Sequence, residues 1–194
     1  MATWIFEPGH TEAEFRARHM MVTWVRGLFK DIHGQLELDW ERCLEASFEG
    51  EIDATGIWTG EPARDAHLRS ADFFDVENHP RMSFAGRFTE RTASTTFKGQ
   101  VDLTIRGVTH AVPLDIAYLG EWRTPFWEGD ENQGDIRRIG FEATARIDRR
   151  DFGVPNSPLE YVRRTRITPA SKSTSSQRSA SSSPRRRPVI AAVK

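Results

Sequence analysis

One cysteine, Cys43, is the only thiol in this chain of 194 residues. A single thiol excludes an internal disulfide framework and a multi-thiolate zinc site. Long apolar runs are missing too, so no segment is long enough for a transmembrane helix. The opening residues, Met1-Ala2-Thr3-Trp4-Ile5-Phe6-Glu7, have neither the basic stretch nor the apolar core of a secretory signal. These absences fit a reducing compartment and lead to the expectation of a cytoplasmic protein. Chemistry-bearing motifs are equally scarce. His10, His19, His33, His67, His79 and His110 are scattered, and no His-x-His, His-Glu-x-x-His or Cys-x-x-Cys spacing occurs. There is no Gly-x-Ser-x-Gly elbow, no phosphate-cradling glycine loop and no dinucleotide fingerprint. No metal and no cofactor are therefore expected. Nothing around Cys43 identifies an activating partner for a nucleophile.

Acidic and aromatic residues are both absent from one stretch. Residues 163–194 hold nine basic residues, eleven Ser or Thr, three Pro and no acid or aromatic. The remaining 1–162 then carry 18 basic against 28 acidic residues, so a formal net charge of −1 hides a body near −10. A segment of this kind buries too little apolar area to offset its ordering entropy, so 163–194 is expected to be a disordered Ser/Arg-rich tail. Basic tails suggest nucleic acid or anionic lipid as partners. The plainer reading is a solvated terminus, and no nucleic-acid partner is expected.

What the body does contain is period-two alternation. It recurs in Phe15–His19, Leu36–Leu38, Phe48–Ala54, Met82–Phe88, Phe97–Ile105, Val112–Tyr118 and Ile139–Ile147. With Trp4-Ile5-Phe6 this makes about eight strands, each with one apolar and one polar face. Such strands belong to antiparallel sheets with one dry and one wet side, and eight around one core suggest a sandwich or barrel. Gly34, Gly50, Gly86 and Gly99 fall on the apolar phase, where glycine marks bends and leaves room beside large side chains. Two stretches break the alternation. Residues 63–70 and 71–76 are expected to be short helices ending before His79-Pro80, and Met20–Trp24 a helical turn.

Two clusters invite other functions. His67, with Arg64, Asp65 and Arg69 nearby, offers an acid–base pair for a small-substrate enzyme; a surface helix with satisfied polar groups is the simpler account. Asp72 and Asp75 suit helix caps as well as general acids. The six Trp residues, Trp122 and Trp127 among them, suit a binding wall, a core or a rim.

Several motifs combine into a family likeness. Val25-Arg26-Gly27-Leu28-Phe29, followed by Ile32-x-Gly34-x-Leu36, resembles the signature of YceI-like proteins. So does Arg64-Asp65-x-His67-Leu68-Arg69-Ser70-x-Asp72-Phe73-Phe74-Asp75-Val76, followed by His79-Pro80 and Met82-x-Phe84. Gly99-x-Val101-x-Leu103-Thr104-Ile105-Arg106-Gly107-Val108-Thr109 continues the match, as do His10-Thr11, Phe15, Arg18-His19-Met20 and Asp148-Arg149-Arg150-Asp151-Phe152-Gly153. The likeness spans roughly residues 3–160. It implies an all-β fold, an extended antiparallel lipocalin-like barrel with short helices at one mouth. It also implies a long apolar tunnel for a polyisoprenoid, an isoprenoid quinone or another long-chain lipid, in a carrier and not an enzyme. The dry-face residues Phe15, Ala17, Phe48, Ile52, Phe84, Val101, Leu103, Leu114, Ile116, Phe141 and Ala143 then become candidates for the tunnel lining, with some of them serving as core. Peripheral membrane contact and a homodimer are left open as partners.

The chain departs from the family after Asp151-Phe152-Gly153. The family pattern continues through residues like Asn156-Ser157-Pro158-Leu159 and ends in a strand that closes the barrel. Here Tyr161-Val162-Arg163-Arg164 and the basic tail stand in that place. GC-rich codons for Thr168 to Ser175, read from the third base, spell an alternating Ala-Gly-Val-Glu-Val-His-Leu, which is compatible with a frameshift. On this reading the domain ends at 162, the closing strand is missing and its two neighbours each expose an edge.

Overall fold

The alternating segments pair as antiparallel strands in a computed structural model that describes residues 1–20, 22–154, 162–168 and 173–174. Along the chain run β1 (Ala2–Ile5), β2 (Glu12–His19), β3 (Thr23–Phe29), β4 (Ile32–Leu38) and β5 (Ser47–Asp53). Helix α1 (Pro62–Arg69) precedes β6 (Arg81–Arg91), β7 (Thr96–Ile105), β8 (Val108–Glu128), β9 (Glu131–Ala145), β10 (Val162–Thr168) and β11 (Ser173–Thr174). They form one curled sheet in the order β11-β1-β4-β5-β6-β7-β8-β9-β10-β2-β3. The all-β antiparallel expectation is met, with eleven strands among the described residues where alternation gives about eight.

Register explains the dry face. Phe84 on β6 stands opposite Gly50 on β5 and Leu103 on β7. Leu114 on β8 stands opposite Gly99 on one side and Ala145 on the other. Side chains on one phase of β5 to β9 therefore meet inside the curl. Phe84, Phe141, Leu114, Ile52 and Val101 are buried there. The inward glycines do not leave empty space. A Cβ at Gly50 would sit 2.6 Å from Cζ of Phe84, and one at Gly86 would sit 2.4 Å from Cζ of Phe48. The rings lie on bare backbone that only glycine provides.

Three contacts between elements distant in the sheet order hold the curl together. Arg137 of β9 lies 5.5 Å from the ring of Trp4 on β1 and pairs with Glu121 of β8 at 2.7 Å. Arg138 reaches Glu7 just after β1, at 3.4 Å. Trp40, which follows β4, packs on Tyr118 and Phe141 with ring centroids 4.6 and 6.2 Å apart.

The sequence expectation needs three corrections. Residues 71–76 are not a helix. Ser70 ends α1 by donating from its hydroxyl to the carbonyl of His67 and accepting from the amide of Asp72. The chain then turns, with Phe74 N–H donating to Leu68 O and Asp75 at φ +50°. Met20 and Val22 lie in a turn, with Val22 N–H donating to His19 O, but Thr23 and Trp24 belong to β3, paired with β2 from His19↔Thr23 to Ala13↔Phe29. Most consequentially, residues 162–168 are not an unpaired tail. β10 lies between β9 and β2, with Ile167 opposite both Ala143 and Ala13. The reason is that ladder bonds use backbone groups, which an Arg-rich composition still supplies, and two open edges demand a partner. β11 adds Thr174 opposite Thr3. The rest of the expected tail lies outside the described residues.

Two measurements check this architecture. Amides of Thr165, Arg166 and Ile167 are expected to show hydrogen-exchange protection comparable with β9; exchange at the rate of a free chain would contradict β10. The Arg137 guanidinium holds the Glu121 carboxyl below the usual carboxylate range. The ionised pair therefore stabilises the fold above the ordinary carboxyl pKa, and that contribution is lost as pH falls through the lowered value. Acid titration of Glu121→Gln is expected to show a flatter stability loss over that window than the parent.

Candidate ligand cavity

The inward phase of the strands does not fill the curl. A cavity of about 140 Å³ remains. Its walls come from β2 and β3 through Ala13, Phe15, Ala17, Val25 and Phe29, and from β5 and β6 through Ile52, Met82 and Phe84. Val101, Leu103, Ile105, Val112, Leu114 and Ala145 complete the sheet side. Leu68 of α1, the following Phe73 and Phe74, and Phe152 and Val154 after β9 close it. Among the described residues, Glu14, Arg64 and Arg149 are the charged side chains on this wall. A second, smaller space of about 40 Å³ lies beyond, among Phe6, Leu36, Phe48, Phe88, Ile116, Phe141 and Ala143. Phe84 and Leu114 wall both.

Each residue expected to line a tunnel has a definite place. Phe15, Ala17, Ile52, Val101 and Leu103 border the larger cavity; Phe48, Ile116, Phe141 and Ala143 border the smaller; Phe84 and Leu114 border both. Alternation did not reveal the closing residues Phe73, Phe74, Phe152 and Val154, because they lie in a turn or in and just after the short 3-10 helix Arg149–Phe152. It also missed Val25 and Phe29, which lie on β3, a strand the alternation did not include.

The closing segment is held by polar contacts. Asp65 is buried and accepts from the backbone N–H of Thr59 at 2.9 Å and from the Thr59 hydroxyl. Arg64 donates from Nε to the Thr59 hydroxyl at 2.7 Å and from its terminal nitrogen to the Thr59 carbonyl at 2.9 Å. Arg69 donates to the carbonyls of Thr55 and Ile57 at 2.7 and 2.9 Å. From the β7–β8 turn, Arg106 donates to the carbonyls of Ala71 and Phe73 at 3.1 and 2.8 Å. Arg149 stacks 5.8 Å from the ring of Phe73. Carbonyls left free where the helix stops and the chain turns thus find guanidinium donors.

The acid–base cluster comes apart in this geometry. His67 is exposed and faces Asp72 at 3.2 Å, with its ring against Phe73. Asp65 instead serves Thr59, and no hydrogen bond joins Asp65 to His67 among the described residues. Trp122 and Trp127 are exposed on the long β8–β9 hairpin, away from both cavities. Among the described residues no three His, Cys, Asp or Glu side chains could hold a metal ion together.

The sequence profile of a family described as YceI-like domain matches residues 4–171. Protein YceI of Escherichia coli O157:H7 is 32% identical over 149 residues, covering 76% of this chain and 73% of that protein. A crystal structure of the Campylobacter jejuni YCEI protein superposes with a TM-score of 0.64 at 26% identity, over 77% of this chain and 85% of that one. A polyisoprenoid binding domain from Saccharophagus degradans, implicated in plant cell wall breakdown, has the same fold, with a TM-score of 0.59 at 10% identity over 87% and 97% of the two chains.

The clamp yields a direct test. Asp65→Ala leaves the Thr59 donors without their buried acceptor and is expected to cost about 1–3 kcal/mol in denaturant unfolding. His67→Ala, at an exposed position, is expected to stay within about 0.5 kcal/mol of the parent.

Proposed function

The chain belongs to the YceI-like family, and from that premise we propose that it binds the apolar chain of a long amphiphile, such as an isoprenoid, inside the curled sheet. The observation that carries this reading is the apolar cavity between the strands and the Phe73–Phe74 segment. The polyisoprenoid-binding description of the Saccharophagus domain supports the ligand class. The role is that of a carrier or sequestering protein, without catalysis.

The physics suits such a ligand. Burying one methylene is worth about 0.8 kcal/mol, so a few isoprene units suffice for tight binding with little polar contact. Glu14, Arg64 and Arg149 are the charged groups on the described cavity wall, and the ligand's polar end is proposed to lie beside one of them. A cavity of comparable volume, about 150 Å³, lined by Leu, Ile and Phe, stays dry and takes up benzene. The space in this chain therefore suits one compact apolar group as it stands, and a longer chain requires the Phe73–Phe74 closing segment to move.

Organic extraction of protein purified from its own host is expected to release about one apolar molecule per chain, identified by mass spectrometry. Delipidated protein should take up farnesol. Ala145→Phe puts a ring into existing space and is expected to weaken farnesol uptake at least about tenfold while lowering stability by no more than about 1–3 kcal/mol. The absence of both an extracted apolar molecule and farnesol uptake by the parent would overturn the proposal.

A further inference from the structure

The larger and smaller cavities are two parts of one apolar interior, separated at a particular side chain. Phe84 is buried and borders both spaces. Its ring stacks on Phe6 at 6.1 Å and 14°, and lies 6.4 Å from Phe48, whose ring belongs to the smaller space. On its other side it rests over Gly50, where even a methyl group would come within 2.6 Å of Cζ. The partition is thus an aromatic ring seated on glycine backbone, touching groups that belong to the far side. Leu114, the other shared wall, is buried on β8.

We infer that Phe84 is the stop that sets the length of the apolar chain this protein accepts. The inference rests on the proposed binding of a long apolar ligand and specifies which lengths fit. A chain entering the larger cavity gains contact with each added methylene until its end reaches the Phe84 ring. Further methylenes find no space, because the ring and Leu114 stand between them and the smaller cavity. Each buried methylene is worth about 0.8 kcal/mol, or about a fourfold gain in affinity, so the stop shows as a break in a plot of affinity against chain length. Removing the ring joins the two spaces and moves the break to longer chains.

The test uses a homologous series of straight-chain primary alcohols, one methylene at a time, titrated against the delipidated full chain by calorimetry. The parent is expected to gain about fourfold per methylene and then to level off. Phe84→Leu and Phe84→Ala should level off at least two methylenes later. Phe84→Leu retains more of the core should the alanine variant fold poorly. Val101→Ala enlarges only the larger cavity and should leave the break where it was. Ala143→Phe fills only the smaller cavity, so it should not move the parent's break but should restore it in the Phe84→Leu background. An unmoved break in both Phe84 variants, or a parent with no break, overturns the stop while leaving apolar-chain binding intact. Failure of the parent to bind any alcohol overturns the binding proposal itself, and the stop with it.

Discussion

The register between neighbouring strands governs everything inside this molecule. A strand offers its two faces alternately, so a slip of one residue between β5 and β6 would turn Phe84, Met82 and Phe88 outward together. In the observed register Phe84 faces Gly50 and Phe48 faces Gly86 across the same pair of strands. Each large ring therefore rests on a position that has no side chain. That complementarity fills the middle of the curl with aromatic rings and leaves open space to either side of them. The cavity is thus a property of how the strands align, and no single element contains it.

Polar groups do the opposite job at the periphery. An apolar cavity needs a wall that is firm without being continuous sheet, and Phe73, Phe74 and Leu68 supply it from a turn and one short helix. Such a segment has too few ladder bonds to hold itself. Arg64, Arg69 and Arg106 satisfy its carbonyls and those of the adjoining loop, while Asp65 fastens Thr59. The arginine- and aspartate-bearing stretch that marks the family at sequence level is, in physical terms, a clamp. Its charge is spent on backbone groups, which explains a buried carboxylate beside a cavity without any acid–base role for it.

Alternation made the inner face legible because β4 to β7 and the inner part of β8 and β9 have one apolar and one polar face. It failed where that contrast fades. On β3, Trp24 and Leu28 share the outward phase while Val25 and Phe29 face inward, so the strand has apolar residues on both sides. Leu28 is accounted for by its bridge to Trp58, a residue some thirty positions away. β10 was hidden for another reason. Arg163, Arg164 and Arg166 weigh composition toward an unordered tail, whereas pairing with β9 and β2 depends on backbone amides that composition does not report. The role of Asp65 was illegible because its partner, Thr59, lies outside the helix that carries the motif.

The position of β10 also affects the order in which the molecule is made. Its two neighbours are β9, close by in the chain, and β2, whose residues are synthesised about 150 positions earlier. While a ribosome is still translating the middle of the chain, β2 has only β3 beside it and the opposite flank of that hairpin is bare. The meander from β4 to β9 can assemble step by step from adjacent hairpins, with little loop entropy to overcome at each stage. Joining the β2–β3 hairpin to it through β10 must wait until residues 162–168 have emerged, and it carries the loop-closure cost of nearly the whole polypeptide. Until then the β2 edge of that hairpin, already tied at Leu28 to Trp58, stays open beside a sheet that is otherwise complete, and that is when a factor that shields strand edges would matter most.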